Sequence, residues 1–295
     1  MTKRHGYALL AAVIAVIVVI SGAIYVGVAA DDGTGGTRNA TADNRAPRDS
    51  AAPASAGTWV GTWSASPAGA EPGTETNGMA GRSLRNVVHT DVGGTEARIT
   101  LSNLYGQQPL NITHASIAVA AAENDAAAVA DTMRRLTFSG STAVVVPAGA
   151  QIMSDAVRVR VPRDSDVLVT TYSPTPSGPV TYHAHARQIS YAAQGDRTED
   201  VTATAYTEQT PYWRYLTALD VLSDESVGTV VALGDSITDG ITSTEGANRR
   251  WTDVLADRLR AAAGTGDVPR YSVVNPGISG HPVLAEVRGR PAHTP

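Results

Sequence analysis

The 295-residue chain contains no cysteine, one lysine (Lys3) and one phenylalanine, and aromatic residues make up only 5% of it. Without thiols there is no disulfide, no thiolate metal site and no cysteine nucleophile. Arginine supplies nearly all the positive charge and the formal net charge is −5, so the electrostatic footprint of a nucleic-acid binder is missing. The chain is long enough for one large domain or two ordinary ones.

Charge is also missing from the stretch between Tyr7 and Ala30, which follows Lys3-Arg4 and ends at Asp31-Asp32. An uncharged apolar run of that length behind a basic start reads as a transmembrane or signal helix over residues 1–30. The basic start keeps its N-terminus inside and exports the remainder. Val28-Ala29-Ala30 offers a small-residue cleavage site, but the run exceeds a usual signal-peptide core, which favours a retained anchor. Localisation is therefore expected to be extracytoplasmic, membrane-anchored or secreted. Residues 31–57 lack every large apolar side chain. They read as a flexible linker whose ends lie roughly 30 Å apart on average.

From residue 58 to 222 the period is two. Arg98-Ile99-Thr100-Leu101 and Val157-Arg158-Val159-Arg160-Val161 alternate, and Trp59-Val60-Gly61-Thr62-Trp63 puts both tryptophans on one face. Turn signals recur at Gly93-Gly94, Gly140-Ser141, Pro147-Ala148-Gly149, Pro162-Arg163-Asp164 and Pro174 to Gly178. An all-β sandwich or jelly-roll domain is predicted, with Ala118–Ala130 as a short helix or an alanine-rich loop. His183-Ala184-His185 would place two imidazoles on one strand face, a spacing that metal sites use, but a third ligand is lacking. Neither metal nor cofactor is expected.

Beyond residue 228 the pattern changes. Thr229-Val230-Val231-Ala232-Leu233 is an apolar run that stops in the polar turn Gly234-Asp235-Ser236-Ile237-Thr238-Asp239-Gly240. Such a run suits a strand buried on both faces of a parallel sheet, which delivers its chemistry at the carboxyl end. Asn248 is a candidate cap for a helix over Arg249–Ala263, with Trp251, Val254, Leu255 and Leu259 on the packing stripe and Gly264 ending it. Tyr271-Ser272-Val273-Val274-Asn275 is then the second parallel strand of a βαβ unit, followed by the turn Pro276-Gly277-Ile278-Ser279-Gly280.

The block from Gly234 to Gly240 resembles the first sequence block of the SGNH, or GDSL, hydrolases, and the turn ending at Gly280 resembles the second. Trp59 to Pro67, Val87 to Thr90 and Ala186 to Tyr191 resemble segments of bacterial two-domain GDSL esterases that carry a β-sandwich before the hydrolase. The resemblance implies a flavodoxin-like parallel sheet over residues 228–295. It further implies Ser236 as nucleophile, the backbone amides of Ser236 and Gly280 as oxyanion donors, and hydrolysis of a carboxylic ester, of a lipid or an acylated sugar, without a cofactor.

Two family features are missing after Ser236: the Gly-x-Asn-Asp block and the Asp-x-x-His block. Asn124-Asp125 lies in the preceding domain without the required glycine, and the histidines beyond Ser236 are His281 and His293. From His281 onward the text no longer resembles the family. A C-terminally truncated or frameshifted hydrolase domain is expected, with weak or no turnover for want of an oriented base. The alternative is a non-catalytic surface module, with Trp59, Trp63, Tyr182 and Tyr191 as a glycan- or protein-binding platform.

Overall fold

A computed structural model describes residues 57–266 and 268–280. The expected membrane segment, most of the linker, and the tail with His281 and His293 lie outside the described residues. Among the described residues no helix is long and apolar enough to cross a membrane.

The described chain is mostly β-structure. In order the strands are β1 (Thr58–Ser64), β2 (Gly69–Ala70), β3 (Arg82–Thr90), β4 (Gly94–Ser102), β5 (Leu110–Ile112), β6 (His114–Val119), β7 (Arg134–Arg135), β8 (Val144–Val146) and β9 (Gln151–Met153). They continue as β10 (Val157–Val161), β11 (Ser165–Ser173), β12 (Thr181–His183), β13 (Ser190–Gln194), β14 (Glu208–Thr210), β15 (Trp213–Arg214), β16 (Leu216–Ser223), β17 (Gly228–Val231) and β18 (Tyr271–Val274). One sheet runs β1-β16-β4-β10, with β9 also on β4, and a second runs β14-β13-β3-β11-β6-β7. The alternating residues Val60, Ile99, Leu101, Val159, Leu219 and Val221 of the first sheet meet Leu84, Val88, Ala115, Ile117, Val167 and Val169 of the second in one core. Two half-apolar sheets have closed over their shared apolar faces. The alanine-rich stretch is β6 followed by a loop, with a 3-10 turn only at Ala130–Thr132.

The tryptophans of β1 do not share a face. The register against β16 shifts between Gly61 and Trp63, and an extra residue in one strand turns every later side chain over. Trp63 consequently joins Val60 in the core, edge-on to Trp213 with ring centroids 4.8 Å apart. Trp59 stays half-buried under the Arg98 guanidinium.

β17 and β18 pair in parallel, Val230 opposite Val273. Two helices follow β17: a single turn, α1 (Ser236–Asp239), and α2 (Trp251–Thr265). α2 starts two residues later than expected because Asn248 is left-handed (φ 47°) and the cap position falls to Arg250, whose backbone N–H bonds Asp253. Gly264 lies inside the helix, and the left-handed Gly266 ends it. Thr252 and Ala256 form its buried face while Trp251 is exposed. β17 is likewise not buried on both faces. Val231 is 56% exposed and Leu233 75%, since β18 is its only strand partner among the described residues.

These two environments set contrasting expectations. Leu219→Ala, at a fully buried site, should cost about 2–5 kcal/mol in urea denaturation. Leu233→Ala should change stability by no more than about 0.5 kcal/mol, and a larger loss would show that this face is covered in solution.

Candidate active site

Ser236 opens α1 directly after β17. Asp235 caps the turn, its carboxylate accepting from the Ile237 amide at 3.0 Å, and Gly240 closes it in the left-handed conformation (φ 92°). Gly234 is needed because the chain folds back tightly: a Cβ there would lie 2.5 Å from Cβ of Thr238. Ser236 itself is half-buried. Its hydroxyl has no side-chain partner among the described residues, so neither a histidine nor a carboxylate contacts it there.

The turn after β18 docks onto α1. The Ile278 amide donates to the Gly234 carbonyl at 3.1 Å, and Asn275 Nδ2 donates to the Thr238 carbonyl at 2.7 Å. Gly277 permits the approach, since a Cβ on it would stand 2.8 Å from Cα of Asp239. Asp239, the last residue of α1, is the junction. Its Oδ2 accepts from the Ser279 backbone at 2.9 Å and from the Ser279 hydroxyl. Gly280, with φ 82° and an exposed backbone, follows directly. Ser236 and Gly280 are thereby carried on two turns bonded to one another, and neither backbone amide is engaged elsewhere among the described residues.

A family model described as GDSL-like Lipase/Acylhydrolase matches residues 230–290. No curated protein matches the chain. The family match takes in the end of β17, α1, α2, β18 and both turns, continues past His281, where the resemblance was expected to stop, and supports a hydrolase of the GDSL family.

Sequence reasoning did not foresee His183 at this site. β12 ends at His183, so the two imidazoles separate: His183 is 3% exposed and His185 points to solvent. No group of metal-ligating side chains exists among the described residues. His183 instead reaches Asp239, Nε2 to Oδ1 at 2.9 Å, while Nδ1 lies 2.7 Å from the Ser66 carbonyl. Burial pushes the Asp239 carboxyl up, but the hydrogen bonds and charge of His183, with the two bonds from Ser279, outweigh it and hold the group below the usual carboxylate range. The sequence shows His183 beside His185, and its true partner lies 56 positions away, a spacing without any local pattern.

The proposed aromatic platform does not form. Trp63 is core, Tyr182 packs edge-on against Tyr212 with centroids 5.1 Å apart, and the Tyr191 hydroxyl donates to the Asn124 carbonyl at 2.6 Å. A cavity of about 320 Å³ does lie between the β-sheets and α2, bounded by His89, Asp91, Gln188, Trp213 and Arg260. It lies behind Asp239, and neither Ser236 nor Gly280 lines it.

Asp91 braces β18 from this cavity by accepting from the Val273 amide. Burial pushes its carboxyl up to about 6, against the pull of that amide and of Arg260. Since the folded value lies above the unfolded 3.8, the fold favours the protonated acid. Its contribution is intact at low pH and declines as pH rises through about 6. Asp91→Asn should therefore raise the melting temperature more near pH 7.5 than near pH 4, and an equal change at both would contradict the assignment.

Proposed function

We propose that this chain is an exported or membrane-anchored serine esterase of the GDSL type, acting on carboxylic esters of lipids or acylated sugars, with slow turnover. The observation that carries the reading is the pairing of an accessible Ser236, at the end of a parallel strand, with a second glycine-bearing turn hydrogen-bonded to its own. The family match over residues 230–290 supports the same reaction class.

In this reading Ser236 Oγ attacks the acyl carbon and its proton passes to solvent or to the departing alkoxide. The tetrahedral oxyanion is met by the Ser236 and Gly280 amides, whose hydrogen bonds strengthen as charge develops on the oxygen. Collapse expels the alcohol and leaves an ester on Ser236, which water hydrolyses. Slow turnover is the reading because no histidine or carboxylate contacts the Ser236 hydroxyl among the described residues. A serine hydroxyl is a weak nucleophile without an adjacent base, and both nitrogens of His183 are already committed to other acceptors. Oxyanion stabilisation and binding alone are worth about 10³–10⁴-fold over the reaction in water in other serine hydrolases.

A fluorophosphonate probe tests this directly, because its reactive phosphorus needs less activation than an ester. Peptide mapping should find the adduct on Ser236, Ser236→Ala should abolish it, and a short-chain nitrophenyl ester should turn over slowly. No adduct would reject Ser236 as nucleophile. Rapid turnover lost in Ser236→Ala would reject the slow-turnover reading.

A further inference from the structure

We propose that His183, from the β-sheet part of the chain, is a positioning residue that holds the Ser236 turn and the Gly280 turn in one frame through Asp239. The inference deepens the esterase reading, on which only its chemical consequence rests. The frame itself is a matter of hydrogen bonds.

Asp239 is 4% exposed, and a carboxylate taken out of water persists only if donors replace its hydration. Three donors converge on it: His183 Nε2 on Oδ1, and the amide and hydroxyl of Ser279 on Oδ2. The Ser279 bonds fix the residue next to Gly280, while Asp239 sits at the end of the single helical turn that Ser236 begins. An isolated helical turn of four residues has little stability of its own, so its orientation depends on what grips its ends.

His183 can grip because it is itself immobilised. Its Nδ1 faces the Ser66 carbonyl, and its ring lies against Trp213 with centroids 5.4 Å apart. The Trp213 indole N–H in turn donates to the Val87 carbonyl in β3 at 2.7 Å. The Ser66 hydroxyl donates to the Pro276 carbonyl at 2.7 Å, tying the second turn to the same loop that holds the histidine. Both ring nitrogens are engaged, one with Ser66 and the other with Asp239. An imidazole used in this way is not available to take the Ser236 proton. Its role is placement.

Hydrogen exchange read by mass spectrometry tests the frame without relying on catalysis. In His183→Ala, amides in 236–240 and 276–280 should exchange about tenfold faster or more, while β3 and β11 stay within about twofold. Asp239→Asn removes the charge but keeps the shape, and should accelerate the same two windows at least about threefold. It stands as the test should His183→Ala fail to fold. Equal exchange in wild type and Asp239→Asn would overturn the proposal, as would a uniform rise across β3 and β11 in a folded His183→Ala. Fluorophosphonate labelling of Ser236 should slow about tenfold in His183→Ala and recover partly in His183→Gln, which keeps an N–H donor. Wild type that resists labelling, combined with the expected exchange pattern, would reject the nucleophile and keep the frame. Normal labelling with unchanged exchange would do the reverse.

Discussion

A carboxylate buried at Asp239 constrains how the β-sheets meet the two turns that carry Ser236 and Gly280. Left without donors it would cost several kcal/mol, so the fold that buries it must bring donors to it. They come from far apart in sequence, His183 on one side and Ser279 on the other. The bonds of this one side chain therefore join a strand end of the β-sheets, the turn that carries Ser236 and the turn that carries Gly280. Other bonds reinforce the union. Gly61 N–H donates to the Thr229 hydroxyl at 3.0 Å, Ser66 to the Pro276 carbonyl, and Gly246 N–H to the Arg187 carbonyl at 2.9 Å. Each is neutral and worth about 1 kcal/mol net. The Asp239 bonds are charge-assisted, and losing one strands a buried charge.

The β-sheet part of the chain thus contributes to the serine turn as well as flanking it. The Trp63–Trp213 pair, Trp213 against His183, and the bond from Trp213 to Val87 form a continuous path from the sandwich core to Asp239. Packed aromatic rings have few alternative placements. The position of the imidazole is therefore inherited from the core, and that of α1 from the imidazole.

Much of this was legible before any coordinates, because local periodicity reports local faces. The alternation at Val157 to Val161 and at Arg98 to Leu101 gives strands whose apolar residues meet in the core, and the apolar run before Ser236 gives a strand that pairs in parallel with Tyr271–Val274. What escaped reading is what depends on three dimensions. A bulge at Gly61–Trp63 leaves no mark in an alternating pattern, yet it moves Trp63 from an imagined surface platform to the core. His183 and His185 look like ligand spacing only if the strand continues past His183, and it ends there. The two motifs that hold His183 and Asp239 are each visible in the sequence, but nothing in either one points to the other, 56 positions away.

The exposed side of β17 follows from the same logic of neighbours. A parallel strand carries apolar side chains on both faces because covering layers normally lie on each. Here β18 occupies one edge and β1 approaches with Gly61, where a Cβ would stand 3.2 Å from the Val274 side chain. Val231, Leu233 and Ile237 remain open, the last two at about three-quarters exposure. Among the described residues α1 therefore lacks packing on its outer side, and hydrophobic burial there contributes little to holding the turn that begins at Ser236. Polar bonds on the inner side must hold it instead. This is why a buried histidine–carboxylate pair carries an orientation that apolar contacts do not supply here among the described residues.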